Sequence, residues 1–400
     1  MPRVLLLLPT STYRAPDFVR AAAHLGVDVV VGSEEEQALA ADMGDRAVVV
    51  PLSDPSAAAE VIVALDGRTP IDAVVAVDDQ GVLVAAVAGE RLGFPHNPPE
   101  AVAATRDKAS MRAMLAAAEV PQPRFAVVDE AGVEDGPLPD VGYPCVVKPT
   151  GLSASQGVIR ADDADTARAA AARVRAITDS PLMVEEYVPG VEVAVEGMLR
   201  EGTLEVLAVF DKPDPLVGPY FEETIYVTPS RLPEATRARV DELTGRACAA
   251  LGLVEGPIHA ELRIDGDRVW VIEVAARSIG GLCARALRFG AGIALEELVL
   301  RHALRMPLDG LAREQTASGV MMLPIPRAGV LREVRGQDEA RGVPGVTGLE
   351  ITVPRGRRVQ PLPEGDRYLG FLFARGDTPA GVEASLRAAH AVLDVDIAAN

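Results

Sequence analysis

Within the first hundred residues, strand-length apolar runs alternate four times with helical stretches, and this limits the fold more than any other feature. Val4–Leu8, Val27–Val31, Ala47–Val50 and Ala73–Val77 read as strands, and Ala15–Leu25, Glu34–Met43, Ser53–Leu65 and Gly81–Leu92 as helices. Strands joined through helices predict a parallel sheet covered by helices. The turn after the first strand, Leu8-Pro9-Thr10-Ser11-Thr12, lacks G-x-G-x-x-G, which argues against a dinucleotide fold. Ligands of open α/β sheets sit at the carboxyl ends of strands. Thr10–Tyr13 and Asp78-Asp79-Gln80 occupy such ends, either as substrate contacts or as ordinary polar turns.

A proline-rich break at residues 93–99 separates this unit from a predicted helix running from Glu100 to about Glu119. From Tyr143 the pattern changes to strands and turns, at Cys145–Lys148, Gly157–Arg160, Leu182–Glu186, Glu192–Leu199 and Glu205–Val209, with helices at Ala164–Ile177 and Pro233–Leu251. Ile258–Ile264 and Arg268–Val274 form a hairpin through Asp265-Gly266-Asp267. The tail reads as a small α+β unit of four strands and a last helix, Pro379–Leu393.

The net charge of −19 repels phosphate backbones and anionic lipid, so no nucleic-acid or membrane partner is expected. No apolar run approaches the roughly 18 residues a membrane span needs. The apolar opening reads as a buried first strand rather than a secretory signal. Cys145, Cys248 and Cys283 show no paired spacing, which fits thiols in a reducing cytoplasm. Any nucleotide site on so acidic a chain must concentrate positive charge locally. Only three of the 39 basic residues are lysine, at positions 108, 148 and 212. A compact ammonium approaches phosphate oxygens as a point charge, whereas guanidinium is a broad fork.

Four clusters carry chemistry. Thr105-Arg106-Asp107-Lys108, taken alone, is a solvated helix face. Next, a strand ending in Lys148 runs into a loop containing Gly151, Ser153, Ser155 and Gly157. Such a loop either lays amides and hydroxyls over phosphates or is a plain hairpin turn; it is not a Walker loop. In the third, the strand Leu182–Glu186 leaves an exposed acidic pair, Glu185 and Glu186, followed by extended backbone through Val188 to Glu192. That backbone suits an adenine edge and a later carboxylate suits ribose hydroxyls, or the stretch is a charged strand end. In the fourth, the hairpin places Glu261 and Glu273 as cross-strand neighbours, where like charges repel unless a cation lies between them. Hard oxygen ligands suit Mg²⁺. Arg277 lies four residues beyond Glu273, next to Gly280 and Gly281, whose backbone amides can face an oxyanion.

The ordered set of Lys108, Lys148 with its glycine loop, Glu185 to Glu192, Glu261 and the E-V-A-A-R run at Glu273 resembles the ATP-grasp superfamily over roughly residues 100 to 310. The resemblance implies an ATP-grasp fold: an N-terminal parallel α/β domain over 1–100, an ATP-grasp domain over 101–310 and a small C-terminal α+β domain over 311–400. It implies that Lys108 and Lys148 hold the α- and β-phosphates, while Ser153, Ser155 and Gly157 belong to a loop closing over them. Glu185 and the backbone of Glu186 and Val188 would read adenine, and Glu192 the ribose. Glu261 and Glu273 would bind Mg²⁺, with Mn²⁺ as the alternative ion, and Arg277 would hold an acyl phosphate. Many members carry E-x-N at the second glutamate; here Ala275 takes the Asn place, which departs from the usual two-metal geometry.

The I-E-V-A-A-R-S-I-G-G form and the small C-terminal domain are similar to the L-amino-acid ligase and carboxylate–amine ligase branch. That likeness turns Glu223 and Tyr226 toward an amino-acid pocket, with Glu223 on a substrate ammonium, and allows a homodimer. Lys212 reads either as a γ-phosphate contact or as a loop lysine. Gly280 and Gly281 join Arg277 as oxyanion donors. His259 reads as a packed core residue. The reaction so implied is ADP-forming amide or dipeptide synthesis through an acyl phosphate, on small carboxylate and amine substrates. The alternatives are a purine-pathway type of enzyme activating formate or bicarbonate, and a non-catalytic ATP-binding module.

Overall fold

A computed structural model describes residues 1–10, 12–36, 44–128 and 138–399. The first sheet contains β1 (Arg3–Leu7), β2 (Asp28–Ser33), β3 (Ala47–Val49) and β4 (Ala73–Ala76), all parallel and ordered β3-β2-β1-β4. Burial on both faces explains the unbroken apolar run of β1. Leu5 and Leu7 pack with Ile62, Val84 and Ala88 of the helices Pro55–Asp66 and Asp79–Leu92. Val4 and Leu6 face a different cluster, with Phe18 of the helix Ala15–Leu25 and Leu298 of the helix Leu295–Ala303. The expected helix Glu34–Met43 is absent at Glu34–Glu36, and its residues 37–43 lie outside the described residues, as does Ser11.

The single helix expected from Glu100 is two helices, Pro99–Arg106 and Lys108–Ala117. Asp107 adopts an extended conformation between them, and its carboxylate caps the second helix by accepting from the Ser110 amide at 2.7 Å. The break also lets the Lys108 amide bond the Thr150 carbonyl at 2.9 Å. It thereby ties this helix to the second sheet.

That sheet comprises β5 (Phe125–Val128), β6 (Cys145–Pro149), β7 (Ile159–Ala161) and β8 (Leu182–Glu186), antiparallel in the order β5-β8-β6-β7. The helix Ala164–Arg175 covers its outer face through Ala167, Ala171 and Val174.

The third sheet begins with β9 (Val191–Arg200), β10 (Thr203–Lys212), β11 (Ile225–Thr228), β12 (Gly256–Asp265) and β13 (Arg268–Ala275). The tail supplies β14 (Ala317–Leu323), β15 (Gly329–Arg335), β16 (Val346–Ile351), β17 (Arg358–Val359), β18 (Gly370–Gly376) and β19 (Asp394–Ala398). Three of these do not stay apart. β14, β18 and β16 join through β11 to give eight strands in the order β13-β12-β9-β10-β11-β14-β18-β16. Only β17-β15-β19 form a separate small sheet.

Strand alternation sorts the side chains of this long sheet. Val193 and Val195 of β9, and Ile258, Ala260, Leu262 and Ile264 of β12, share one core with the helix Glu234–Ala250. The intervening Glu192, Glu196, His259, Glu261 and Arg263 are left to the opposite face. Among the described residues no helix is long and apolar enough to cross a membrane.

Candidate active site

A cleft of about 520 Å³ lies over that polar face, with walls from the second sheet, the turns after β1 and β4, and the segment before β18. Glu261 and Glu273, expected as cross-strand neighbours, stand directly opposite each other because a bulge between Glu261 and Leu262 shifts the β12–β13 register by one, and both line the cleft. Each has a lysine near it: Lys108 Nζ lies 3.5 Å from Glu273 Oε2, and Lys212 Nζ 3.2 Å from Glu261 Oε1.

Lys108 is no solvated helix residue. It is buried and donates to the Leu152 carbonyl at 2.6 Å, at the root of the glycine loop. Lys148, also buried, is paired with Glu185 at 2.6 Å. The expectation that Glu185 is exposed is wrong: it is 3% exposed, since both faces of β8 are covered up to this residue and Lys148 and Arg112 close over its carboxylate. Its second oxygen accepts from Arg112 Nε at 2.6 Å. Burial pushes this carboxyl up, but Arg112 and Lys148 outweigh it and hold it at about 2. Burial, with Arg112 and Lys108 nearby, pulls Lys148 down against the pull of Glu185.

The backbone expected to meet adenine is partly engaged. The Glu186 amide bonds the Arg124 carbonyl, and the Val188 carbonyl accepts from Arg263 at 2.9 Å. Glu192, expected at the ribose, accepts from Lys212 at 2.7 Å and from Arg263 at 2.8 Å.

Lys212 stands behind the cleft surface rather than on it, its side chain 3% exposed. Glu192, Glu223 and Glu261 surround it, and the Tyr226 ring lies 5.0 Å away. One oxygen from each of these three carboxylates lies within 4.8 Å of the others. Burial would lower Lys212, but the three carboxylates raise it well above its usual value. Glu223 is pushed up to about 7, by burial first and by the charge of Glu261.

The run 277–281 is held from three directions. Arg277 Nε donates to Asp79 at 2.6 Å, and its Nη1 to the Ser278 carbonyl at 3.0 Å. Arg14, 2% exposed, donates to the Val77 carbonyl at 2.6 Å and to Ser278 Oγ at 2.9 Å. The Ile279 amide donates to Glu196 Oε2 at 3.0 Å, while the other oxygen of Glu196 bonds His259. His259 is therefore a buried ionic partner rather than a plain core residue; burial lowers it, but Glu196 and Glu261 carry it up to about 9. Gly280 and Gly281 line the cleft beside Arg277.

Ser153 and Ser155 line the cleft on a loop whose Ala154 and Ser155 adopt positive φ. Gly157 lies behind them at φ 71°, its amide bonded to the Pro363 carbonyl at 2.9 Å, so the loop is latched to the C-terminal segment.

Sequence reasoning missed Arg14, Arg112 and Arg263. Arg263 was within reach, since it follows His259 and Glu261 at the strand period and so shares their face. Arg112 sits on a helix and Arg14 immediately before one, and their partners are remote in sequence. Nothing local marks them.

Three domain families match in chain order: the ATP-grasp N-terminal domain over residues 19–96, the ATP-grasp domain over 141–286 and the L-amino acid ligase C-terminal domain 2 over 321–398. The alanine–anticapsin ligase of Bacillus subtilis is 28% identical over 265 residues, 60% of this chain. The chain spans 56% of that relative's length. The D-alanine–D-alanine ligase of Cupriavidus metallidurans is 27% identical over 65% of this chain and 80% of its own. The crystal structure of the L-amino acid ligase from Bacillus licheniformis superposes with a TM-score of 0.82 at 26% identity, covering 100% of this chain and 99% of that one. N5-carboxyaminoimidazole ribonucleotide synthetase from Thermotoga maritima shares the fold at 17% identity, with a TM-score of 0.72 over the whole of both chains.

Proposed function

This chain belongs to the ATP-grasp superfamily, in its L-amino-acid ligase branch, and from that premise we propose that it is an ATP-dependent, ADP-forming ligase joining two amino acids through an acyl phosphate. One observation carries the reading: Lys108, Lys148, Glu261 and Glu273, from three separate stretches of chain, line one cleft.

Carboxylate is a poor electrophile, so amide formation needs a leaving group, which phosphorylation provides. The protein's part in phosphoryl transfer is mainly positioning and charge neutralisation. Lys108 and Lys148 hold the α- and β-phosphates, and the hydroxyls of Ser153 and Ser155 cover them. Gly157 gives that loop its turn. Glu185 keeps the Lys148 ammonium aimed and charged rather than touching adenine itself. The Glu186 carbonyl and the Val188 amide receive the base, while the Tyr187 amide between them is spent on the Pro144 carbonyl at 3.1 Å. Glu192, at the cleft wall beside the ribose, is held by Lys212 from behind and by Arg263.

Mg²⁺, or Mn²⁺ in its place, fits the donors present: Glu261 and Glu273 would hold it, since both are hard oxygen ligands opposed on neighbouring strands with cations already drawn to them. Ala275 offers no third donor. A bound ion supplies positive charge next to the phosphates.

Glu223, with Tyr226 beside it, accepts the ammonium of the amino acid whose carboxylate is activated. Arg277 holds the acyl phosphate, and the amides at Gly280 and Gly281 receive the oxyanion as the amine attacks. One such donor is typically worth about 2.7–4 kcal/mol. Latching of the 153–157 loop onto Pro363 keeps water from the acyl phosphate.

Phosphate release, measured with the twenty amino acids singly and in pairs, tests the reading. Stimulation by pairs supports it. Stimulation by formate or bicarbonate alone moves the chain to the purine-pathway type, and no stimulation leaves an ATP-binding module.

A further inference from the structure

Aromatic rings and sulfur gather at one end of the cleft. Tyr13, Cys283, Met322, Tyr368 and Phe371 all line the cleft. The Phe371 ring centroid is 5.7 Å from that of Tyr13 and 6.2 Å from that of Tyr368. Cys283 Sγ lies 3.3 Å from Met322 Sδ beneath them. Gly281, at φ 61°, admits Phe371 this close; a Cβ there would come within 2.7 Å of the ring. Tyr13, from the turn after β1, is 39% exposed and closes the wall from the open side. Both phenols stay neutral, since burial raises Tyr13 to about 12 and Tyr368 well above its usual value. The charged groups at the rim, Asp366 and Arg367, are paired with each other at 2.8 Å.

This wall lies beside Glu223, whose charge acts on Tyr368, and beside Arg277 through Gly281. An amino acid with its ammonium at Glu223 and its carboxylate at Arg277 therefore directs its side chain toward aromatic rings and sulfur. We infer that the amino acid activated as the acyl phosphate carries a large apolar side chain, of the methionine, leucine or phenylalanine class, and that Tyr13, Met322 and Tyr368 select it. The inference rests on the ligase reading above. Its physical basis is that an apolar pocket gains from each methylene buried and leaves a small side chain poorly filled, while a charged one loses its water without a partner.

Hydroxylamine trapping separates the two. It converts an acyl phosphate to a hydroxamate without the second amino acid, so the activated partner is identified alone. With full-length enzyme, ATP and Mg²⁺, methionine, leucine or phenylalanine should give hydroxamate with kcat/KM at least about tenfold above glycine, alanine, aspartate and lysine, the scale of methylene discrimination in an apolar pocket. Met322→Ala and, on the open side where folding is not at stake, Tyr13→Ala should each narrow that ratio several-fold. Equal hydroxamate from small or charged amino acids, or ratios unmoved in Tyr13→Ala, overturns this inference and leaves the ligase reading standing. Absence of hydroxamate with every amino acid overturns the ligase reading and this inference with it.

Discussion

Lys108 Nζ and Glu273 Oε2 stand 3.5 Å apart, one at the start of a helix and the other near the end of β13. The contact joins the cation offered to a phosphate and the carboxylate offered to a metal at one point of the cleft. The chain break at Asp107 helps to set it: a continuous helix would spend the Lys108 amide on its own ladder and leave none for the Thr150 carbonyl. Replacing Asp107 by Ala removes the cap and should cost about 1 kcal/mol of stability. It should also weaken ATP binding several-fold, read by thermal unfolding and by titration with MgATP.

Arg277→Ala should lower product formation by more than about tenfold, or ~1.4 kcal/mol, while leaving MgATP affinity close to wild type. Single-turnover measurement of dipeptide formation checks it. A smaller loss removes Arg277 from the acyl-phosphate role.

Arg14 touches no proposed substrate group, yet its guanidinium links the Val77 carbonyl to Ser278 Oγ, next to Arg277. Arg14→Met keeps much of the side-chain volume and removes both bonds. We expect kcat to fall about tenfold or more with little change in the KM for ATP, since loss of positioning affects the transition state more than nucleotide binding. A change in KM for ATP alone would contradict the assignment.

Glu185 sets an acid limit. Its carboxyl is held at about 2 against an ordinary 4.5. The unfolded chain therefore takes up the proton first as pH falls. The stabilisation is complete above pH 4.5 or so and is lost progressively toward pH 2, worth about 3 kcal/mol in full. Urea unfolding of the wild type and Glu185→Gln at pH 6 and pH 3 should show the gap between them shrink by about 2 kcal/mol at the lower pH. A gap independent of pH would mean that Glu185 is not held ionised by Lys148 and Arg112.

The strands of the first sheet were legible because each is a short apolar run bounded by turns, and Glu261 and Glu273 were legible as cross-strand neighbours; their direct opposition depends on a bulge between Glu261 and Leu262 that the Asp-Gly-Asp turn does not signal. Burial was less legible. Glu185 reads as exposed until Arg112, from the helix Lys108–Ala117, is seen to neutralise it, and Lys212 reads as a γ-phosphate contact or a loop lysine until three carboxylates from β9, β12 and the segment before β11 close around it. Such long-range ion pairs leave no local pattern. The merging of β14, β16 and β18 into the long sheet escaped for a similar reason: it depends on β11, four residues long and ended by Pro229.

Equilibrium binding of MgATP tests the shared cleft most directly. Titration calorimetry of the wild type, Lys148→Met and Glu273→Gln, each checked for folding by circular dichroism, should show one site in the wild type. Each variant should weaken binding at least about tenfold, or ~1.4 kcal/mol. Unchanged affinity in both folded variants would mean that Lys148 and Glu273 do not grip the same nucleotide.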